Sequence, residues 1–356
     1  MKMHKHQNPC FKPIARSFFL ALVTFAFQPS TFAQGPLNPP GSPAPAMKSL
    51  DQVEARIIVN ATNTPGTSNA LYRITASGSY YLTGDIIGVS GKHGIEIAAT
   101  NVSLDLNGFS VIGVPGSLIG IEATNGAAYS AAGLRISNGA IAGWGGDGVN
   151  TFVAGAPAIF SGLNIKDNHG NGMTALQAVI TDCIAHNNTS GYGIQGNQLN
   201  IFNCVARANS LGFGLFFGSL LRGSMATGNS TGVDADSGSM VLNNTVRAST
   251  TIGINAHNNC RVAGNVVSTS GTGINVAAAG NEIEGNTLVN NSVGGLVLTS
   301  ASAVRNLIIR NTAQGNGTNY QITASNNAFG PVVNVGGVGD ISTAPNSPST
   351  YANYAY

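Results

Sequence analysis

A glycine followed by an aliphatic residue recurs along this chain at nearly constant spacing. The series includes Gly94-Ile95, Gly120-Ile121, Gly148-Val149, Gly172-Met173, Gly193-Ile194, Gly214-Leu215, Gly232-Val233, Gly253-Ile254, Gly273-Ile274 and Gly295-Leu296. Its steps are 26, 28 and 24 residues at first and 18 to 22 afterwards. Self-similarity at about 20 residues indicates a solenoid, in which each repeat packs only against its neighbours. Function then becomes a question about columns of stacked side chains.

The repeats read as strands. Ser79–Leu82 and Val102–Val111 alternate polar and apolar residues with a period of two. Later repeats carry one strand-like piece after the glycine, as in Gly253-Ile254-Asn255-Ala256, and another about ten residues on, as in Ile283–Leu288. Helical repeats of about 33 to 34 residues are excluded by this spacing, and the leucine-rich template is absent. Stacking the repeats gives an aliphatic column, Ile180, Ile201, Leu221, Val241, Val262, Ile283 and Val304. A second runs Ala185, Ala206, Ala226, Val246, Val267, Leu288 and Ile309. Between them lie Cys183, Cys204, Ser224, Asn244, Asn265, Asn286 and Leu307, at a turn whose side chain points inward. Stacked Asn amides there predict a coil-to-coil hydrogen-bond ladder.

The alternating aliphatics, the inward Asn and the following Gly-Ile resemble the right-handed parallel β-helix family of exported bacterial proteins, with a pectate-lyase-like architecture. Val102–Phe109 resembles the opening coils of such proteins, and the likeness spans about residues 71–325. It implies an all-β, single-stranded right-handed parallel β-helix of about 10–11 coils with a short N-terminal capping helix. The family includes pectate-type lyases, polygalacturonases, alginate epimerases, a periplasmic copper-protein maturation factor and phage tailspikes, so it implies no single activity.

The ends are distinct. Lys2, Lys5, Lys12 and Arg16 precede an apolar run, Ser17–Phe27, and Thr31 and Ala33 set small residues at a cleavage point. Residues 1–33 therefore read as a signal peptide cleaved near Ala33, predicting a secreted or periplasmic protein. The run is too short to span a membrane, and no later one is long enough. Residues 34–48 are a Pro-rich linker and 49–70 an N-terminal cap, where Ser49-Leu50-Asp51-Gln52 suggests a helix near 50–56. Residues 71–325 form the β-helix and 326–356 a C-terminal cap or tail, with a closing strand near Val332–Val335.

Composition narrows the function classes. Only 8% of residues are charged and the net charge is +2, which argues against a nucleic-acid binder. Three constellations stand out. The first is an outward polar column after the glycine pair: Glu96, Glu122, Asn150, Thr174, Gln195, Phe216, Asp234, Asn255, Asn275 and Val297. Amides and carboxylates in such a stripe match sugar hydroxyls; an ordinary solvated sheet face has the same pattern. The second is two acid pairs, Asp234 with Asp236 and Glu96 with Glu122, whose expected separations approach those of glycosidase carboxyls. Most outward acids on a β-helix meet that criterion. The third is a basic column, Lys166, His186 and Arg207, then Arg247 and Arg310, suited to an acidic polysaccharide.

The polygalacturonase motifs and the epimerase Asp-Pro-His-Glu motif are missing. Six scattered His predict no metal site, and calcium is expected only if the protein is a lyase. Trp144 and Asp147 fall in the longer early coils, where Trp144 is either a sugar-stacking platform or a turn cover. Cys183 and Cys204 stack on adjacent coils, close enough for a disulfide, with two buried thiols as the alternative. The sequence favours a monomeric exported protein that binds an extracellular polysaccharide or serves a structural surface role, with a polysaccharide lyase or hydrolase as the alternative.

Overall fold

A computed structural model describes residues 55–123, 132–152, 157–336 and 345–356. They form a parallel β-helix. Each coil adds one strand to a sheet of 12 strands and, in most coils, two to a sheet of 24. Every pairing is parallel and in register between successive coils, as in Ile254↔Ile274 and Val262↔Ile283. The coil count exceeds the expected 10–11 because the first and last strands of the smaller sheet, Ala70–Ile74 and Tyr320–Ile322, lie outside the glycine-aliphatic series. The expected second strand of each repeat is two short ones, such as Glu282–Glu284 and Thr287–Val289, bent at Gly285-Asn286.

The described residues contain no helix. Most of the segment expected to form a capping helix lies outside them. Its last residues lead instead into a strand, Ile57–Ile58, that pairs with Tyr80–Tyr81. The signal peptide and linker also lie outside the described residues. The closing strand is present as Val332–Asn334, and it pairs with Asn353–Ala355, so the end of the tail is built into the sheet.

The interior is an apolar stack. Ile180, Ile201, Leu221, Val241, Val262 and Ile283 are all fully buried, each worth about 1.5–3 kcal/mol relative to exposure. The next member is Ile308, not Val304, and Leu288 is followed by Ala313, not Ile309. This coil steps by 25 residues rather than 21, with the extra residues in the turn before Asn306. The slip also moves Arg310 out of the basic column, whose position there is taken by Gln314.

The Asn ladder is present, and there are three. In the expected one the N–H of Ser224 donates to Asn244 Oδ1 at 2.9 Å, Asn244 to Asn265 at 2.9 Å and Asn265 to Asn286 at 3.0 Å. It continues through Asn311 to Asn353 at 3.0 Å each, leaving Leu307 outside and 40% exposed. A second ladder runs through Asn168, Asn188, Asn209 and Asn229, and a third through Cys260, Asn281, Asn306 and Asn327. Each rung closes a turn that would otherwise bury an unpaired N–H. The residue before a rung commonly has positive φ, as at Asn243 (55°) and Asn187 (57°), which turns the next side chain inward.

The second ladder, with Asn291 and Asn316 further along the stack, explains part of the glycine series. A Cβ on Gly193 would lie 2.7 Å from Asn209 Nδ2, one on Gly273 2.8 Å from Asn291 Nδ2, and one on Gly295 2.9 Å from Asn316 Nδ2. Glycine lets the strand close over the carboxamide. In Gly212-Phe213-Gly214-Leu215 the ladder contact selects Gly212, whose Cβ would lie 3.0 Å from Asn229 Nδ2. The inward residue is accordingly Phe213, fully buried and paired with Ile194 and Val233.

Asn265 accepts from the N–H and Nδ2 of Asn244 and donates to Val241 O and Asn286 Oδ1. Asn265→Ala orphans both sides, which predicts a loss of about 2–4 kcal/mol in chemical denaturation. The outward Thr227→Ala should change stability by less than about 0.5 kcal/mol. Equal losses would show that the ladder adds nothing.

Candidate functional site

The outward face of the 12-stranded sheet carries the expected polar column one step longer at each end. It begins at Arg73, which pairs with Glu96 and then Glu122, and passes through Asn150, Thr174 and Gln195. After Gln195 the position is Gly214, not Phe216, a consequence of the Gly212 register. Asp234, Asn255, Asn275, Val297 and Gln321 complete it.

The gap at Gly214 has a use. A Cβ there would lie 2.9 Å from the Tyr192 ring. Tyr192 crosses the column, and its hydroxyl donates to Asp234 Oδ2 at 2.9 Å. Asp234 Oδ1 accepts from Asn255 Nδ2 at 3.0 Å and lies 3.0 Å from His257 Nε2. Asn275 Nδ2 donates to Asn255 Oδ1 at 2.8 Å, extending the network by a coil. Burial and the Asp234 carboxylate hold the Tyr192 hydroxyl well above its ordinary pKa, so it stays a donor.

Phe216 is one outward position to the side of the column, paired with Asn197. It meets Tyr192 edge-on, with centroids 6.2 Å apart at 88°. With Phe152, which is 46% exposed, it borders a depression of about 240 Å³ lined also by Thr174, Gln195, Gly196 and Asn197. The depression combines aromatic walls with amide and hydroxyl groups on its floor. Asp147 organises the coils beside it. Its carboxylate accepts from the N–H of Asn171 and from Thr174 Oγ1, both at 2.8 Å, and Asn150 Nδ2 lies 3.5 Å away.

Trp144 is not a sugar platform. It is 1% exposed, and its indole N–H donates to Val111 O at 3.0 Å. Its ring occupies the space that a side chain at Gly94 would need, 2.9 Å from a Cβ there. Apolar bulk thus drew it into the core rather than over the turn.

The acid pairs part ways. The strand ends at Ala235, and Asp236 Oδ1 turns to accept from the N–H of Ser237 at 2.6 Å and of Asn258 at 3.1 Å. Asp236 therefore caps a turn, whereas Asp234 belongs to the Tyr192 network. Glu96 and Glu122 are register partners on adjacent coils, as expected. Glu96 faces Arg73 Nε at 3.3 Å, and Glu122 lies 3.1 Å from His93 Nδ1. Burial raises the pKa of Glu122 and Glu96 adds to the rise, while His93 opposes it.

Lys166, His186 and Arg207 are stacked as expected, but on the 24-stranded sheet. Cys183 and Cys204 stand as buried free thiols on adjacent coils, and Cys260 is a third. The Cys183 and Cys204 thiols donate to the carbonyls of Thr181 and Phe202, each at 3.2 Å, and lie within hydrogen-bonding reach of each other.

Tyr192 and His257 are functional candidates that sequence reasoning missed. His257 was within reach of it, two residues after Asn255 on the same face. Tyr192 was not, because its partner Asp234 is 42 residues away and two coils up.

Residues 116–334, more than half the chain, match the family described as periplasmic copper-binding protein (NosD), and the chain belongs to that family. Among curated proteins none matches significantly. Among solved structures it is similar to the A-module of Azotobacter vinelandii mannuronan C-5 epimerase AlgE4, at 13% identity and TM-score 0.53, covering 71% of this chain and 91% of that one. It is also similar to a tailspike protein mutant of E. coli bacteriophage HK620 in complex with a pentasaccharide, at 16% identity and TM-score 0.51, covering 72% and 56%. These likenesses establish the parallel β-helix fold.

The family's metal finds no donor set in the described residues. No three of His, Cys, Asp and Glu come together there to hold an ion. Copper needs thiolate, thioether or imidazole ligands. Cys260 is buried with its pKa pushed up to about 11, chiefly by that burial, and His257 is committed to Asp234. These residues do not fit copper.

Glu122 has a folded pKa above its unfolded one, so its protonated form favours the fold. That contribution is present below the unfolded pKa and is lost as pH rises through the raised folded value. Thermal melts should therefore show wild type losing stability relative to Glu122→Gln as pH rises above the ordinary carboxylate value of 4.5. Parallel profiles would contradict the assignment.

Proposed function

We propose that the protein is exported and binds a polysaccharide along the outward face of the 12-stranded sheet, without cleaving it. The observation that carries this reading is the depression bordered by Phe152 and Phe216 beside the column of Thr174 and Gln195. Aromatic faces suit the C–H faces of sugars, and amides suit their hydroxyls. The column repeats at about 4.8 Å per coil, close to the length of one sugar unit, so a glycan lying along the axis meets similar groups at successive residues. Membership of a family described as periplasmic, and the basic-then-apolar N-terminus, support export through a signal peptide cleaved near Ala33. The tailspike relative bound to a pentasaccharide supports a sugar ligand by analogy of fold.

Catalysis has one specific observation in its favour. Glu122, with its raised pKa, sits next to Glu96, which faces Arg73 Nε at 3.3 Å. Two carboxyls in unlike environments are the arrangement of a glycosidase acid and its partner. Asp234 is less suited, because Tyr192 and Asn255 already donate to it and His257 Nε2 lies 3.0 Å away.

Affinity electrophoresis through a panel of neutral and uronate polysaccharides separates the two readings. The binding reading predicts retardation by at least one glycan, no new reducing ends and no unsaturated uronide. It also predicts that Phe152→Ala with Phe216→Ala weakens retention at least about tenfold. Turnover that disappears in Glu122→Gln would replace it with the enzyme reading; no retention by any glycan would sink it.

A further inference from the structure

Away from the groove, three successive coils of the 24-stranded sheet bring six outward side chains into two columns. Asn164, Ile184 and Val205 pair in one, and Lys166, His186 and Arg207 in the other. All but Lys166 line a depression of about 300 Å³, and Lys166 stands at its end. Two of its polar atoms, Asn164 Oδ1 and His186 Nδ1, are covered and have no hydrogen-bond partner. Folded proteins leave few such atoms, and each calls for a reason.

The charge around them is one-sided. Arg207 makes no ion pair among the described residues. Lys166 has only Asp167 at 4.0 Å, and Asp167 also accepts from Asn187. The cationic column stops at Thr227 and resumes at Arg247, two coils beyond Arg207, so the three-coil segment is self-contained.

We propose that this depression binds a single carboxylated sugar, such as a hexuronate. The ligand carboxylate meets Lys166 and Arg207. A sugar hydroxyl donates to Asn164 Oδ1, and a second pairs with His186 Nδ1. The apolar face of the ring rests on Ile184, which is 44% exposed, and on Val205. The volume is at the small end for ligand sites, which suits one ring rather than a chain. To reach the two covered atoms the ligand displaces neighbouring side chains, and Lys166, 39% exposed, is long and free enough to move. The site shares no residue with the groove and does not depend on it.

Titration calorimetry with sodium glucuronate tests this, with glucose and sodium acetate as the two halves of the ligand. One site per chain is expected, with glucuronate bound at least about tenfold more tightly than either half. Lys166→Gln and Arg207→Gln should each weaken it at least about tenfold, and Val205→Glu, which puts a negative charge on the floor, should abolish it. All three side chains face outward and make no ladder bond, so their melting curves should match wild type. Phe152→Ala with Phe216→Ala should leave glucuronate binding unchanged, which separates failure here from failure of the groove. Absent binding, acetate binding as tight as glucuronate, or unaltered affinity in the charge variants would overturn the proposal.

Discussion

The structure depends on one repeated interaction: a buried side-chain oxygen that accepts the turn N–H of the preceding coil. At Asn244, Asn265 and Asn286 the same carboxamide also donates to a carbonyl deeper in the stack and to the next amide along. Strand pairing alone would permit one coil to slide against the next, because parallel ladders tolerate register shifts where both faces are alike. A carboxamide rung does not, since a slip leaves buried polar groups unpaired. Three such ladders lock bends along the later coils. Several of the glycines in the repeat follow from this, because at Gly172, Gly193, Gly273 and Gly295 a strand passes directly over a rung carboxamide.

Locked bends turn the outer face into fixed columns. Two regions break the uniformity in ways that create sites. At Gly214 a missing side chain lets Tyr192 lie across the column to Asp234, tying three coils together beside the Phe152–Phe216 depression. At Asn164 Oδ1 and His186 Nδ1 two covered polar atoms lack partners beside Lys166 and Arg207. Neither resembles a metal site, although the chain belongs to a family described as copper-binding.

The fold was legible because its signal is periodic and local. Equal steps placed Asn244, Asn265 and Asn286 in one column, and two-residue alternation put Glu96 beside Glu122. Reading failed where the period changed: extra residues before Asn306 moved the ladder from Leu307 to Asn311. It failed also where two registers were locally equal, as in Gly212-Phe213-Gly214-Leu215. Only the Asn229 amide decides between them, and that residue belongs to a ladder the sequence reading had not separated from other polar turns. Trp144 and Tyr192 were misjudged or missed because a long side chain's destination depends on space made by other coils. The site was therefore visible as a stripe of residue types, and its actual grouping was not.

If side-chain rungs hold coil to coil, the turn amides that they capture should behave as core amides. Native-state hydrogen exchange reads this directly at the N–H groups of Asn244, Asn265 and Asn286, which lie in turns and would exchange fast in ordinary loops. They are expected to exchange only on global unfolding, as slowly as the strand amides of Val241 and Val262. Exchange at rates near those of an unprotected chain would show that the strands alone carry the stack and that the ladders are incidental.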